Sequence, residues 1–303
     1  MRMGRKLREL LKQKKLLTSP GITTPLHAMI VEKAGFDFVY VGGYDVSLTL
    51  LGLPEVGFIT ETEMLNNARH IARSVTLPVI ADVDTGYGNA LNVIPTVQDF
   101  EAAGLGAIHI EDQVAPKCCG HVAGKGMVPL EEAVGKIRAA LEARRDKDFV
   151  IIARTDAIAA AGGGMDEAIR RGKAFAEAGA DIIWAEFPTA DIEQRQRFAR
   201  EVLAAYPQMP LYLHYSADLK WHESKVTFED FPAMGYKIMH VSLTGMRSTM
   251  MGMWDYGRGF EGSRRASGNR ISAAPEGASD GGVSRVRGLS QIQGVGRKIS
   301  ACR

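Results

Sequence analysis

The chain contains no apolar run approaching the roughly 20 residues that a membrane-spanning helix needs, so a bilayer-spanning protein is not expected. Cysteine is scarce: of three in 303 residues, two are the neighbours Cys118 and Cys119 and the third is Cys302. Such a set is a poor disulfide framework, and with no C-x2-C pair it is a poor zinc site. Charge of one sign is missing as well, since 37 basic residues stand against 35 acidic ones. A net charge of +2 gives no overall field for nucleic acid or a membrane surface. The basic N-terminus "MRMGRKLRELLKQKKLL" lacks the continuous apolar core of a signal peptide, and a cytoplasmic location is expected. Its Leu7, Leu10, Leu11 and Leu16 are spaced for a short amphipathic helix instead.

What remains is a globular composition, 46% hydrophobic and 24% charged, with a clear alternation of textures. Short β-branched runs recur as "FDFVYVGG" (36–43), "LPVIADVD" (77–84), "GAIHIED" (106–112) and "DFVIIARTD" (148–156). They continue as "ADIIWAEFP" (180–188), "MPLYLHYS" (209–216) and "YKIMHVSLTG" (236–245), and a weaker "LLTSPGI" (16–22) precedes them all. Helical patterns lie between, at 25–34, 61–75, 91–103, 130–145, 164–178, 189–205 and 227–233, with a last helix after Gly245. Apolar strands alternating with amphipathic helices indicate a parallel sheet covered by helices. Eight such units predict an α/β fold of the (β/α)8 TIM-type barrel class over residues 1–260. A doubly wound sheet is the alternative, but the first strand–helix turn lacks its GxGxxG signature. The phrases "EKAGFDF", "EAAGLGA" and "AEAGADI" place glycine where each helix should end before a strand. The tail, 261–303, has no aromatic residue and eight basic residues against three acidic ones, a composition that predicts disorder.

In a barrel of this kind the active site lies at the C-terminal ends of the strands. Four successive strands end in acids here: Asp82 and Asp84, Glu111 and Asp112, Asp156 beside Arg154, and Glu186. Gathering so many carboxylates is costly without compensating cations. An all-oxygen set points to a hard divalent ion, Mg2+ or Mn2+ in its place. The long connection from Gln113 to Pro129 carries "PKCCGH", and connections of that length are usually functional. A cysteine beside lysine and histidine has its thiolate favoured and suits proton transfer or nucleophilic attack.

Together, "DVDTGYGN", "IEDQ", "PKCCGH", "ARTDA" and "EFP" resemble the isocitrate lyase/phosphoenolpyruvate mutase superfamily over most of residues 8–258. The Lys-Xaa-Cys-Gly-His loop is similar to that of its carbon–carbon lyase branch. The resemblance implies Mg2+ dependence, a C-terminal helix swapped between subunits, a homotetramer and a small carboxylate substrate. It implies metal binding by Asp82, Asp84 and Glu111, and a loop motif of Lys117, Cys119, Gly120 and His121 with Cys119 as the catalytic thiol. Tyr40, Gly42 and Gly43 match a substrate turn, Arg154 and Glu186 match substrate contacts, and Arg247 matches a basic residue of the methylisocitrate lyase type. His214, Ser216 and Ser242 fall on positions near the distal substrate carboxylate.

The chain departs from the pattern at several of these places. Gly42 replaces a hydroxyl residue, Glu55 replaces an aspartate, His214 replaces an asparagine and Asp218 a serine. The resemblance therefore implies a 2-hydroxy di- or tricarboxylate lyase with an altered pocket. Hydrolysis or decarboxylation of oxaloacetate, or a phosphonate rearrangement, is the alternative within the superfamily. A carboxylate-binding barrel without activity and a nucleic-acid binder acting through the tail are alternatives from other classes. The slightly acidic remainder and the absence of interleaved aromatics weigh against nucleic acid. Cys119→Ser is expected to lose most turnover and Cys118→Ser little; steady-state kinetics showing equal losses would remove the assignment of roles within the loop.

Overall fold

The structure, a computed structural model, describes residues 2–13, 15–117, 124–216, 218–221, 224 and 226–267. Eight strands form one closed parallel barrel in sequence order: β1 Leu17–Ile22, β2 Val39–Val41, β3 Val79–Asp82, β4 Ala107–Glu111, β5 Val150–Thr155, β6 Ile182–Ala185, β7 Leu211–Tyr215 and β8 Tyr236–Val241. Closure is direct, with Leu17 of β1 beside Ile238 of β8 and Pro20 beside Val241. That pairing excludes the open doubly wound sheet. The helices are α1 Met3–Leu11, α2 Pro25–Lys33, α3 Gly43–Val46, α4 Glu61–Ser74, α5 Ala90–Ala102, α6 Leu130–Ala143, α7 Met165–Glu177, α8 Ile192–Ala205 and α9 Thr244–Ser267.

Local sequence accounts for the boundaries. Thr60 and Glu63 bond each other's backbone N–H groups at the start of α4, and Asn89 and Asn92 do the same at α5. The repeated Ala-Gly phrase is a helix-to-strand turn: Gly35, Gly104 and Gly179 hold φ of 86°, 92° and 97°. The expected helix at 227–233 is not formed. Thr227 instead accepts no helical role, its N–H donating to the Asp230 carboxylate at 2.7 Å, and a single 3-10 turn follows at Pro232–Met234. Proline in so short a segment removes a donor that a helix would need. At the other end α9 continues to Ser267, seven residues beyond the expected barrel boundary of 260; the tail from 268 onward lies outside the described residues. Among the described residues no helix is long and apolar enough to cross a membrane.

Two hydrophobic cores share the strands. Between barrel and helices lies the larger one, where Val79, Ala81, Ile108, Ile151 and Ile183 meet Ile71, Val97, Ile137 and Phe198. Inside the barrel Leu17, Phe38, Ile80, Ile152, Trp184, Tyr212 and Ile238 fill the lower interior, and Leu7 of α1 packs among them. The N-terminal helix thus caps the floor of the barrel, as its leucine spacing suggested, and Arg8 pins it to Asp181 at 2.7 Å. Gly4 permits this approach, because a Cβ there would lie 2.3 Å from the carbonyl oxygen of Asp148. Leu7→Ala is expected to cost about 2–5 kcal/mol in urea unfolding. The half-buried Leu10→Ala should cost clearly less, and equal losses would contradict the capping role.

Candidate active site

The strand ends meet as anticipated. Asp82 closes β3, Glu111 closes β4, Arg154 lies near the end of β5, and Glu186 follows β6; all are buried. Six buried carboxylates, Glu55, Asp82, Asp84, Glu111, Asp156 and Glu186, face three buried cations, Lys117, Lys125 and Arg154. Lys117 is the hub of one half. Its Nζ lies 2.6 Å from Glu55 Oε1, 2.6 Å from Asp84 Oδ1 and 3.6 Å from Glu111 Oε1. Arg154 is the hub of the other, bonding both oxygens of Asp156 at 2.9 and 3.0 Å, with Glu111 at 3.5 Å and Glu186 at 3.8 Å. Its guanidinium also stacks over Trp184. Lys125 completes this half through a 2.6 Å bond to Asp156.

Backbone geometry holds the acids in place. Asp82 accepts from the N–H of Gly43 at 3.0 Å and from that of Asp84 at 2.9 Å. Glycine at 43 lets the acids come this close, because a Cβ would fall 2.3 Å from Glu55 Oε1 and 3.0 Å from Asp82 Oδ2 and would push the carboxylates aside. Among the described residues three non-glycine residues have positive φ, Asp84, Tyr87 and Leu243, and they follow β3 and β8. Strain of this kind collects where a site over-determines its backbone. A one-turn π-helix, Ser47–Leu51, follows α3 beside the same mouth.

Burial dominates the electrostatics. It pushes Glu55 up to about 7 and Asp84 above its ordinary range, in each case against the pull of Lys117. Glu111 is raised well above the carboxylate range by burial, and neither of its oxygens has a hydrogen-bond partner among the described residues. Asp82 differs: burial opposes its ionisation, but His109, Lys117, Arg154 and the Asp84 N–H overcome that and hold it well below the usual range. Lys117 and Arg154 are desolvated too, yet their acidic neighbours keep both firmly charged. Ligand oxygens of Glu55, Asp82 and Asp84 lie within 4.8 Å of one another. An excess of buried negative charge with oxygen-only donors fits a hard divalent cation such as Mg2+. Glu55, which is not among the metal ligands the resemblance implies, is part of this group, and Glu111 stands beside it between Lys117 and Arg154.

The remaining expected residues fall around this centre. Tyr40 is buried, its hydroxyl 3.0 Å from His109 Nε2, and burial together with Asp82 keeps the phenol protonated. His214 bonds Glu186 at 2.8 Å and stacks on His240, which stacks in turn on Tyr40 at 3.7 Å. Ser216 is buried and accepts the indole N–H of Trp221 through its carbonyl at 2.9 Å. The Ser242 hydroxyl is buried without a partner among the described residues, and Arg247 pairs with Asp218. Cys119, Gly120 and His121 lie outside the described residues. The two legs leading to them are tied together, Val114 N–H to Gly126 and Val128 N–H to Asp112, each at 3.0 Å. Sequence reasoning missed Lys125, His109 and His240. Only Lys125 had a usable signal, a second lysine in the loop opposite the "ARTD" acid.

The sequence matches the family model for phosphoenolpyruvate phosphomutase over residues 7–256. The chain belongs to this family. Within the superfamily it is similar to the isocitrate lyase of Haloferax volcanii, 40% identical over 247 residues that cover 81% of this chain and 72% of that protein. The 2,3-dimethylmalate lyase of Eubacterium barkeri is 48% identical over 196 residues, 65% of this chain and 67% of the relative. Among solved structures, phosphonopyruvate hydrolase in complex with oxalate and Mg++ superposes with a TM-score of 0.76 at 32% identity, covering 98% of this chain and 97% of the other. The expected membership of the phosphoenolpyruvate mutase/isocitrate lyase superfamily, and with it the reading as an enzyme, therefore holds.

Because folded Glu55 and Asp84 bind protons more tightly than they do unfolded, their contribution to the metal-free stability falls as pH rises above the ordinary carboxylate range, for Glu55 until about 7. A divalent ion must displace those protons. Added Mg2+ is therefore expected to raise the Tm, relative to EDTA, more at about pH 8 than at about pH 5.5. Asp82→Asn should abolish the shift, and a shift independent of pH would contradict this ionisation scheme.

Proposed function

We propose that the protein is an Mg2+-dependent carbon–carbon lyase that cleaves a 2-hydroxy di- or tricarboxylate of the isocitrate, 2-methylisocitrate or 2,3-dimethylmalate type into a 2-oxo acid and a second carboxylate. The observation that carries this reading is the convergence of the Glu55, Asp82 and Asp84 group with Arg154 and with Lys117 at the head of the Lys-Xaa-Cys-Gly-His loop. Asp82, Asp84 and Glu55 would hold the ion, which when bound supplies positive charge to the oxygens of the hydroxy acid.

The chain's own groups supply the rest. Since Tyr40 is kept protonated, the hydroxyl proton of the substrate passes to a carboxylate of the acidic group while Tyr40 serves as a donor. As the carbon–carbon bond breaks, its electrons move onto the departing fragment as the enediolate of a carboxylate. Arg154, fixed by Asp156 and Lys125, faces that charge already oriented. Cys119 then gives its proton to the carbanion carbon, and Lys117 and His121 favour the resulting thiolate. Exposed Leu26, Met29 and Ile30 on α2 and Met253 and Trp254 on α9 are apolar surface that subunit contacts in a homotetramer would cover.

A second reading is hydrolysis of oxaloacetate or of a phosphonate, supported by the likeness to phosphonopyruvate hydrolase. Trapping of 2-oxo acids, with products identified by NMR, separates the two. Isocitrate, 2-methylisocitrate, 2,3-dimethylmalate, oxaloacetate and phosphonopyruvate would each be offered with Mg2+ and with EDTA. Mg2+-dependent glyoxylate or pyruvate from a hydroxy acid is expected, and turnover of oxaloacetate or phosphonopyruvate alone would select the hydrolase. Arg154→Gln should lower kcat by about 10²-fold or more with little change in KM.

A further inference from the structure

One carboxyl at the mouth takes no part in the scheme above. Asp45, on the single turn α3, is 2% exposed, and its Oδ1 is buried with no hydrogen-bond partner among the described residues. No ion pair joins it to a described cation, and Arg247, the nearest influence of opposite charge, is already paired with Asp218. The backbone N–H of Leu243, one of the positive-φ residues, bonds the carboxyl from the β8–α9 turn.

Two glycines make room for this group. A Cβ on Gly21, at the end of β1, would lie 3.0 Å from Asp45 Oδ2, and one on Gly42, after β2, would lie 3.1 Å from the same atom. The Gly42 position also faces Tyr40, whose Cε1 would be 3.1 Å from that Cβ. The space a side chain at residue 42 would fill, beside Tyr40, is thus taken by the Asp45 carboxyl. Gly43, between them, contacts Glu55 and Asp82 and so ties this turn to the acidic group. Buried polar groups are as a rule paired, and an orphaned acceptor at the functional end of a barrel is a place for a ligand's donor. The partner must bring a proton, since a second carboxylate would be repelled by an ionised Asp45. A hydroxyl satisfies the free oxygen in either charge state of the carboxyl.

We propose that Asp45 is a substrate-contacting residue whose Oδ1 accepts a hydrogen bond from a hydroxyl of the ligand, so that the site selects hydroxylated over unhydroxylated dicarboxylates. This deepens the reading of the mouth as a hydroxy-acid site and rests on it, and it makes Gly42 and Asp45 a coupled pair. Gly42 is small so that Asp45 can occupy the space in its place.

The test is calorimetric titration of the full-length, Mg2+-loaded protein with malate and with succinate, which differ by one hydroxyl. The wild type is expected to bind malate about tenfold or more tightly than succinate. Asp45→Ala should shrink the preference by about fivefold or more by weakening malate alone, leaving the share that Mg2+ contributes through the hydroxyl, and Asp45→Asn, which keeps an acceptor oxygen, should retain more of it. Gly42→Ala should reduce the preference in the wild-type background and change nothing in the Asp45→Ala background. A wild type without preference for malate, a preference undiminished by Asp45→Ala, or an equal loss for both acids in a variant of unchanged Tm would overturn the proposal. The cleavage assay separates the two failures. An Asp45-dependent preference without lyase turnover removes the activity and leaves the binding role, whereas turnover with a preference indifferent to Asp45 removes only the binding role.

Discussion

Everything at the mouth of this barrel depends on the burial of more negative charge than the protein itself neutralises. Lys117 stands 2.6 Å from both Glu55 and Asp84, and Arg154 grips Asp156 through two bonds. Between these hubs Glu111 keeps two oxygens without hydrogen bonds among the described residues. In water such carboxylates would be ordinary; at this depth each must gain a proton, a cation or a ligand donor. The glycine at 43, the strained turns at Asp84 and Leu243, and the crossed loop legs around Lys117 and Lys125 all keep the acids close despite that cost. A structure selected for stability alone would relieve it, so the unrelieved charge marks function.

The fold was legible because strands buried on both faces write themselves as continuous apolar runs, and "VIIART" or "IIWA" can be little else between amphipathic helices. β1 was faint for a physical reason. Its "LTSPGI" carries Ser19, whose hydroxyl accepts the N–H of Tyr40, and Gly21, which leaves space for Asp45. Polar and small residues are what that side of the barrel requires, and they obscure the strand pattern. The segment at 227–233 misled in the opposite sense, since a helix-like spacing does not show that Asp230 will bond the Thr227 N–H and end the turn.

The site was legible in part. Acids at successive strand ends are visible in one dimension because the barrel maps each end to the same rim. What the sequence conceals is pairing across that rim. Lys125 and Asp156 are 31 positions apart and Tyr40 and His109 are 69 apart, and no local pattern joins them. The same holds for His214 and His240, whose rings stack because β7 and β8 are neighbours in register, His214 opposite His240. With Glu186 they form a polar cluster at the rim, and His214 is one of the positions where the sequence resemblance implied a departure from the family pattern.

The filled interior has a consequence for traffic. Leu7 and α1 close the floor, and Ile80, Trp184 and Tyr212 occupy the space above it, so among the described residues the floor of the barrel is filled and a ligand approaches from the strand-end mouth. In the cleavage proposed above, the two products would have to leave through the same opening, in order. The fragment held among the strand-end acids would then be the last to leave, and while it stayed it would bar the next substrate. Supplied on its own, that fragment should compete with the intact acid, and the other should not.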